Sequence, residues 1–224
     1  MVMTAENPGG PMVGVILAGG RSQRMGGGVK FLRPLAGRPI LAHVISRLKA
    51  QVSTLVINAN GDPQRFAAFG LPVIGDVVAD YAGPLAGVHA GLEWARRHHP
   101  EANAIATVAA DSPFFPADLV VRLAAAREKE NAPLAVARSN AGLHPVFGLW
   151  SMTLEDSLLR ALRDGERKMT DWVGNQDAGW RSTFLKSRSA VAESIRSLTS
   201  TALKISPRPS GFLRWKPRRR NSAL

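Results

Sequence analysis

Short apolar runs alternate with amphipathic segments through the first two thirds of the chain. Six runs of apolar, often branched residues predict buried strands, at 13–18, 54–60, 71–76, 104–111, 133–139 and 143–150. Between them, apolar residues recur at helical spacing, which predicts helices over 40–50, 83–97, 115–130 and 154–165 and a short helix within 61–70. This alternation predicts an α/β domain with a mostly parallel sheet covered by helices on both faces.

Glycines and polar residues stand where several of the predicted strands end. They are Gly19 and Gly20 after the first strand, Asn58 and Asn60 in the second, and Asp76 and Asp111 at the ends of the third and fourth. Because the carboxyl ends of parallel strands meet at one edge of a sheet, and ligands bind beyond that edge, these residues predict a single ligand site.

The glycine-rich stretch LAGGRSQRMGGGVK, at 17–30, follows the first strand. Its glycines allow backbone N–H groups to approach an anion closely, and Arg21, Arg24 and Lys30 can add charge-assisted contacts to phosphates. The stretch is not a P-loop, because Lys30 precedes Phe31 rather than Ser or Thr, and it lacks the dinucleotide fingerprint. On glycine content alone, a phosphate-binding loop and a solvated turn are equally good interpretations.

Composition narrows the class of protein. The 224 residues suffice for one α/β domain with a tail, and the absence of cysteine excludes a disulfide scaffold, a thiolate metal site and a cysteine nucleophile. No apolar run reaches the roughly 18 residues of a membrane span. We therefore expect a cytoplasmic protein that does not enter a membrane and that acts as a monomer.

The net charge of +12 is unevenly distributed. Residues 181–224 hold eleven of the 29 Lys and Arg residues but only one of the 17 acidic residues, so the rest of the chain is nearly neutral. We expect a flexible segment at 1–12, one domain at 13–180 and a basic, disordered tail at 181–224.

The stretch at 17–30 resembles the signature L-A-G-G-x-S-x-R-M-G-x-x-K of nucleotidyltransferases with a three-layer Rossmann-like fold. More specifically, the chain is similar to the molybdenum cofactor guanylyltransferase family. The resemblance covers roughly residues 13–173 and rests on the further stretches VINANGD, LPVIGDVVADYAGPLAGVHAGL, ADSPFFPADLV, LHPVFGLW and GERKMTDW. It implies transfer of GMP from magnesium-bound GTP to the terminal phosphate of molybdopterin, with release of pyrophosphate.

The resemblance also implies roles for individual residues. The backbone of Leu17, Ala18 and Gly19 would face the nucleotide, and Lys30 would hold its phosphates. The guanosine part would meet Asn58 and Asp76, and Asp111 would bind Mg²⁺. The partners implied are GTP, molybdopterin, and the enzyme that delivers molybdopterin or a molybdoenzyme chaperone.

The chemistry of the residue types agrees with these roles. Mg²⁺ needs only one or two protein carboxylates when a triphosphate supplies its other ligands. We also expect Asp111, at the end of an apolar strand, to be costly to bury unless a cation offsets its charge. No Ser, Cys or His nucleophile is required, because the substrate supplies the attacking oxygen.

Each of these residues also has a purely structural interpretation. Asp111 could cap the following helix, Asp76 could belong to a turn, and Asn58 could bond to backbone at a strand end. His144 could contact the pterin, although a lone histidine more often has a packing role. Two interpretations are also open for Arg167 and Lys168: they could contact the acceptor phosphate, or they could form a solvated helix end. We expect Trp94, Trp150 and Trp172 to be core or edge residues.

Val29 departs from the family pattern, which has Asp directly before the lysine. Valine cannot pair with Lys30 or Arg24, and it places a β-branched side chain in a glycine-rich loop. We hypothesise that Val29 weakens nucleotide binding or the ordering of the loop.

The tail is the second departure, because the family continues with a strand and a segment of the form DPFxNxNTPED. For SIRSLTSTALKISPR, at 194–208, codons can be chosen whose shifted frame reads DPFFNLNSPEDLAE. We hypothesise that the reading frame changes near residues 179–181 and that the tail is an out-of-frame translation. The basic tail would then not have been selected to bind nucleic acid, and the activity of this chain would be impaired.

Three other functions remain open from the sequence. One is transfer of CMP to form a cytosine dinucleotide cofactor, and another is nucleotidyl transfer to a sugar phosphate on the same fold. The third is an inactive protein whose basic tail binds nucleic acid through its phosphates.

Overall fold

The computed structural model describes residues 10–19, 30–77, 83–139 and 142–175. Its strands are β1 (Met12–Leu17), β2 (Pro34–Leu35), β3 (Arg38–Pro39), β4 (Thr54–Asn58), β5 (Val73–Ile74), β6 (Ala104–Ala109), β7 (Leu134–Ser139) and β8 (Gly142–Ser151). Its α-helices are α1 (Ile40–Lys49), α2 (Pro84–His98), α3 (Leu119–Lys129), α4 (Glu155–Arg163) and α5 (Met169–Asn175). The glycine-rich loop from Gly20 to Val29, residues 1–9 and the basic tail lie outside the described residues.

A six-stranded sheet in the order β5-β4-β1-β6-β8-β7 forms the middle layer. Strand β1 pairs in parallel with β4 and β6, and β4 pairs in parallel with β5, whereas β8 runs antiparallel to both β6 and β7. The predicted α/β class with a mostly parallel sheet is therefore confirmed. Strands β2 and β3 form a separate hairpin, which the apolar pattern did not predict because it is only two residues long on each side.

Two hydrophobic clusters bury the two faces of the sheet. One cluster joins α1 and α3 to the face that carries Met12, Ile16 and Ile57. The other joins α2, α4 and α5 to the face that carries Val15, Leu17 and Val56. Successive strand residues alternate between the clusters, as the pleat requires, so the central strands β1, β4 and β6 are buried on both sides and read as continuous apolar runs.

Several predicted elements differ from the structure in length, in helix type or in being missed. The strand predicted at 71–76 shortens to Val73–Ile74, and the helix predicted at 115–130 begins only at Leu119, because turns occupy 110–118. The short helix within 61–70 is a 3₁₀ helix that starts at Pro63, where Asp62 accepts a hydrogen bond from the Gln64 N–H at 2.9 Å. Helix α5 was not predicted at all, since seven residues carry too little periodicity.

Helix α2 carries a buried polar side chain, His89. His89 is 3% exposed, and neither ring nitrogen has a hydrogen-bond partner among the described residues. Burial lowers the pKa of His89; the charge of Glu93 raises it by a smaller amount, and that of Arg163 lowers it further. Nearby, Glu155 of α4 forms an ion pair with Arg96 of α2, Nε to Oε2 at 2.8 Å, and burial raises the pKa of Glu155.

None of the helices in the described part of the chain combines the length and the hydropathy that a bilayer crossing requires.

Candidate functional site

The carboxyl ends of four parallel strands meet at one edge of the sheet, as the sequence predicts. In the register, Leu17 lies opposite both Asn58 and Ala109, and Asn58 lies opposite Ile74. The ladder continues one residue further, because the Ala18 N–H donates to Asn58 O at 2.9 Å and the Ala110 N–H to Leu17 O at 3.1 Å. The segments that carry Gly19, Asn58, Asp76 and Asp111 therefore begin side by side.

Asn58 and Asp76 are in direct contact. Asn58 is buried, at 3% exposure, and its Nδ2 donates to Asp76 Oδ1 at 3.0 Å and to Ile74 O at 3.4 Å. The structural interpretations of both residues are thus correct in part: Asn58 bonds to backbone at the end of its strand, and Asp76 holds the Asn58 side chain. Asp76 is only partly buried, and a carboxylate can accept about four hydrogen bonds, so it retains acceptor capacity for a ligand.

Asn60 holds the other side of the Asp76 carboxylate; the sequence analysis placed it among the polar residues at this edge but gave it no individual role. Its Nδ2 donates to Asp76 Oδ2 at 2.7 Å, and its Oδ1 accepts from the Asp76 backbone N–H at 2.8 Å, which closes a two-bond ring. Arg65 in turn donates from Nη2 to Asn60 O. The signal was present in the sequence, because Asn58 and Asn60 are two residues apart and such residues share a side of an extended chain.

Helix α2 packs against this group of side chains through a glycine. A Cβ atom built on Gly87 would overlap Asn58 Oδ1 and lie 2.8 Å from Leu17 Cδ2. Only glycine therefore allows the helix to approach β1 and β4 this closely. The position of Asn58 is consequently determined by α2 as well as by its own hydrogen bonds.

Asp111 lies beyond β6, in the turn that leaves the sheet. It is exposed, and its Oδ1 accepts from Ser112 Oγ at 3.2 Å. The expectation that a cation must offset a buried Asp111 carboxylate is therefore wrong, because water already solvates this side chain. The capping interpretation is wrong as well, because the residue at the start of α3 is Asp118.

The donor set fits a magnesium ion held mainly by a ligand. Among the described residues, no group of three or more His, Cys, Asp or Glu side chains is arranged to hold a metal. A single exposed carboxylate at the strand edge suits Mg²⁺, which keeps waters and phosphate oxygens in most of its coordination positions. Asp111 is exposed at this edge and could supply that protein oxygen, whereas the Asp76 carboxylate is already held by Asn58 and Asn60.

Lys30 resumes the described chain after the glycine-rich loop. It is exposed and opens a 3₁₀ helix, Lys30–Leu32, whose next residue Phe31 is buried. The ring of Phe31 stacks on that of Phe66, with centroids 5.4 Å apart and planes at 17°. This contact ties the far end of the loop to the segment that follows Asn60, while the Lys30 side chain remains in solvent.

The other candidate residues have mainly structural surroundings. His144 Nε2 and Ser139 Oγ are 2.6 Å apart across the β7–β8 hairpin, and Arg167 Nη1 donates to Leu162 O at 3.3 Å. Lys168 Nζ lies 3.5 Å from Asp171 Oδ2. The tryptophans are as expected: Trp150 and Trp172 are buried 5.8 Å apart, and Trp94, partly buried, stacks on His98.

Comparison with known proteins places these residues in a family. A model described as the MobA-like NTP transferase domain matches residues 14–179. A molybdenum cofactor guanylyltransferase of Bradyrhizobium sp. (strain ORS 278) is 54% identical over 158 residues, which are 70% of this chain and 74% of that protein. One of the same name from Rhodopseudomonas palustris (strain BisB5) is 53% identical over 167 residues, 75% of this chain and 79% of that protein.

Solved structures share the fold. A putative protein of Aquifex aeolicus VF5 superposes with a TM-score of 0.58 at 21% identity, covering 77% of this chain and 90% of that one. The molybdopterin-guanine dinucleotide biosynthesis protein A of Archaeoglobus fulgidus has a TM-score of 0.55 at 23% identity, covering 71% of this chain and 76% of that one.

Proposed function

The chain belongs to the MobA-like NTP transferase family and is a nucleotidyltransferase of the molybdenum cofactor pathway, and we propose that it transfers GMP from GTP to molybdopterin. The products are molybdopterin guanine dinucleotide and pyrophosphate, and the reaction takes place in the cytoplasm. The observation that carries the proposal is the hydrogen-bonded set of Asn58, Asn60 and Asp76, which lies at the same sheet edge as Asp111, where such sheets bind ligands.

The two sides of this edge have different tasks. On the side of β4 and β5, the Asp76 carboxylate is fixed by two amides and would accept hydrogen bonds from the guanosine part of GTP. The backbone of Leu17, Ala18 and Gly19 would lie along the nucleotide. A carboxylate held in this way loses little freedom on binding, so more of its interaction energy appears as affinity.

On the side of β6, Asp111 would contribute one oxygen to Mg²⁺, and Lys30 would contact the phosphates. When bound, the metal neutralises negative charge on the triphosphate and on the leaving pyrophosphate. An oxygen of the acceptor phosphate attacks the α-phosphorus, so the protein's task is to position two substrates and to stabilise charge.

Thermal denaturation with nucleotides tests the choice of GTP. A ligand that binds only the folded state raises the melting temperature, so GTP with Mg²⁺ should stabilise the full chain more than CTP with Mg²⁺ does. Stabilisation by CTP but not GTP would favour the cytidylyl alternative. A nucleotidyl transfer to a sugar phosphate would be indicated by pyrophosphate release with glucose 1-phosphate in place of molybdopterin.

We also propose that this copy of the enzyme is impaired, for the two reasons that the sequence gives. Val29 stands where the family has Asp, and the family match ends at residue 179, beside the point where we suspect a change of frame. The coding DNA tests the second reason directly. If its codons for residues 194–208 cannot spell the DPFFNLNSPEDLAE segment in another frame, the idea fails.

Nucleic-acid binding by the tail is a separate activity under this proposal. A chain truncated after residue 180 should keep its affinity for GTP and lose any salt-sensitive binding of RNA. Loss of both activities on truncation would show that the tail takes part in nucleotide binding. Delivery of molybdopterin by a partner enzyme or chaperone, and a monomeric state, remain parts of the proposal.

A further inference from the structure

The sheet divides next to Asp111. The register between β6 and β8 runs from Ala104–Ser151 to Thr107–Gly148 and stops two residues before β6 ends. At the same place the β7–β8 register shifts, so that three residues of β8, Pro145 to Phe147, have no counterpart on β7. Bulges of this kind redirect a strand and occur often beside active sites. Beyond this point the β7–β8 hairpin continues toward the carboxyl edge without pairing to β6.

Arg138 lies in this hairpin, one residue before the end of β7. Its side chain follows Leu134 and Val136 in the alternation along the strand, and both of those residues belong to the cluster with α2. Its register partner, Leu143, packs against the same cluster. Asn58, which touches Gly87 of α2, lies on this face as well, so the two polar residues share one face at opposite ends of the edge.

The guanidinium of Arg138 is incompletely satisfied. Its Nη1 atom is buried and has no hydrogen-bond partner among residues 10–19, 30–77, 83–139 and 142–175, and none of the ion pairs within these ranges includes it. A buried donor on a charged group costs free energy when it stays unpaired. None of the described residues of the hairpin pairs with this nitrogen, whereas an anionic ligand would.

We propose that Arg138 binds the terminal phosphate of the acceptor, in the opening between the end of β6 and the β7–β8 hairpin. This rests on the proposed function. The guanosine part occupies the β4–β5 side and Asp111 lies in the middle, so the second substrate reaches the α-phosphate from the β7–β8 side. One acceptor phosphate oxygen forms a bond to the α-phosphorus, and the bond from that phosphorus to the bridging oxygen breaks. The electron pair of the broken bond leaves with pyrophosphate.

Kinetics on the full chain separate this role from a structural one. Arg138→Gln should raise KM for molybdopterin about 10-fold or more, the size of one charge-assisted contact, while the affinity for GTP stays unchanged. The melting temperature should not fall, because the substitution removes a buried charged donor that is unpaired without the acceptor. Arg138→Lys, which keeps the charge but loses the planar fork, should have an intermediate KM. The matched control is Arg122→Gln, which removes an exposed ion pair with Asp118 on α3 and should change none of these quantities. An unchanged KM, or a loss of GTP affinity equal to the rise in KM, would overturn the proposal.

A second measurement distinguishes failure of this inference from failure of the proposed function. Inorganic phosphate should raise the melting temperature of the chain already saturated with Mg²⁺ and GTP, and Arg138→Gln should abolish that increase. The result does not require turnover, so it stands even if the chain transfers no GMP and the proposed function is wrong. An equal phosphate-dependent increase in both proteins would contradict the assignment of Arg138.

Discussion

Substitution of Gly87 tests the site directly, because a side chain added at this position of α2 would displace Asn58. In Gly87→Ala the new methyl group would overlap Asn58 Oδ1 and approach Leu17 Cδ2 to 2.8 Å. The backbone of α2 cannot withdraw without losing its packing on β1 and β4. We therefore expect Asn58 to turn away from Asp76 and the Asn58–Asp76 hydrogen bond to break.

The expected magnitudes follow from two effects. Overpacking of this severity costs about 3 kcal/mol of folding free energy, and replacing glycine by alanine within a helix returns about 1 kcal/mol. The net loss of about 2 kcal/mol corresponds to a fall of roughly 4–8 °C in melting temperature for a chain of this size. Loss of one hydrogen bond to the carboxylate that receives guanosine should lower GTP affinity by about 10-fold, or roughly 1.4 kcal/mol.

Gly91→Ala is the matched control for this substitution. Gly91 lies one turn further along α2, where an added Cβ would meet Val15 Cγ2 at 2.7 Å and Ile105 Cδ1 at 3.1 Å, both apolar and away from the site. Isothermal titration of folded protein with GTP, together with thermal denaturation, should show a similar loss of stability in both variants but a loss of GTP affinity only in Gly87→Ala. Equal GTP affinities for the two variants would refute a role for Asn58 in binding the nucleotide.

Four further substitutions test other parts of the account. Asn60→Ala should weaken GTP binding about 5- to 10-fold with little change in turnover of saturated enzyme, because Asp76 loses one of its two amide partners; unchanged KM for GTP would contradict this. Asp111→Asn should lower the transfer rate at least about 100-fold at a given Mg²⁺ concentration, and a rate within a few-fold of the parent would exclude it as the metal ligand. Val29→Asp should increase GTP affinity in a titration, and no increase would end the hypothesis that Val29 impairs the loop. Because the pKa of His89 is lowered in the folded state, this residue contributes stability above about pH 6.5 that is lost as the pH falls. His89→Phe should therefore flatten the decline in melting temperature between about pH 7.5 and 5.5. The control His98→Gln, at an exposed position, should leave that decline unchanged.

The layout of the edge was predictable from the sequence because it depends on local pattern and on one topological rule. Apolar runs at 13–18, 54–60 and 104–111 identified β1, β4 and β6, and parallel pairing then required their ends to converge. That convergence placed Asn58 and Asp76 at the same edge, but their hydrogen bond was not predicted. The exposure of Asp111 was mispredicted, because the chain turns into solvent directly after β6 and an apolar run does not show where a strand leaves the sheet.

Features that arise from long-range packing were not predictable. The contact of Gly87 with Asn58 depends on the distance between α2 and the sheet, which no local pattern specifies. The bulge in β8 depends on pairing with two neighbours at once, and its three extra residues read in the sequence as part of an ordinary apolar strand. The buried Nη1 atom of Arg138 lacks a partner among the described residues, and burial and pairing of a single nitrogen cannot be read from the sequence.

The most direct test of the central claim is mass spectrometry of the products formed by the full chain from molybdopterin, Mg²⁺ and an equimolar mixture of GTP and CTP. The account predicts molybdopterin guanine dinucleotide and one pyrophosphate for each GTP consumed, with CTP left intact. Formation of the cytosine dinucleotide instead, or consumption of GTP without any dinucleotide product, would contradict it.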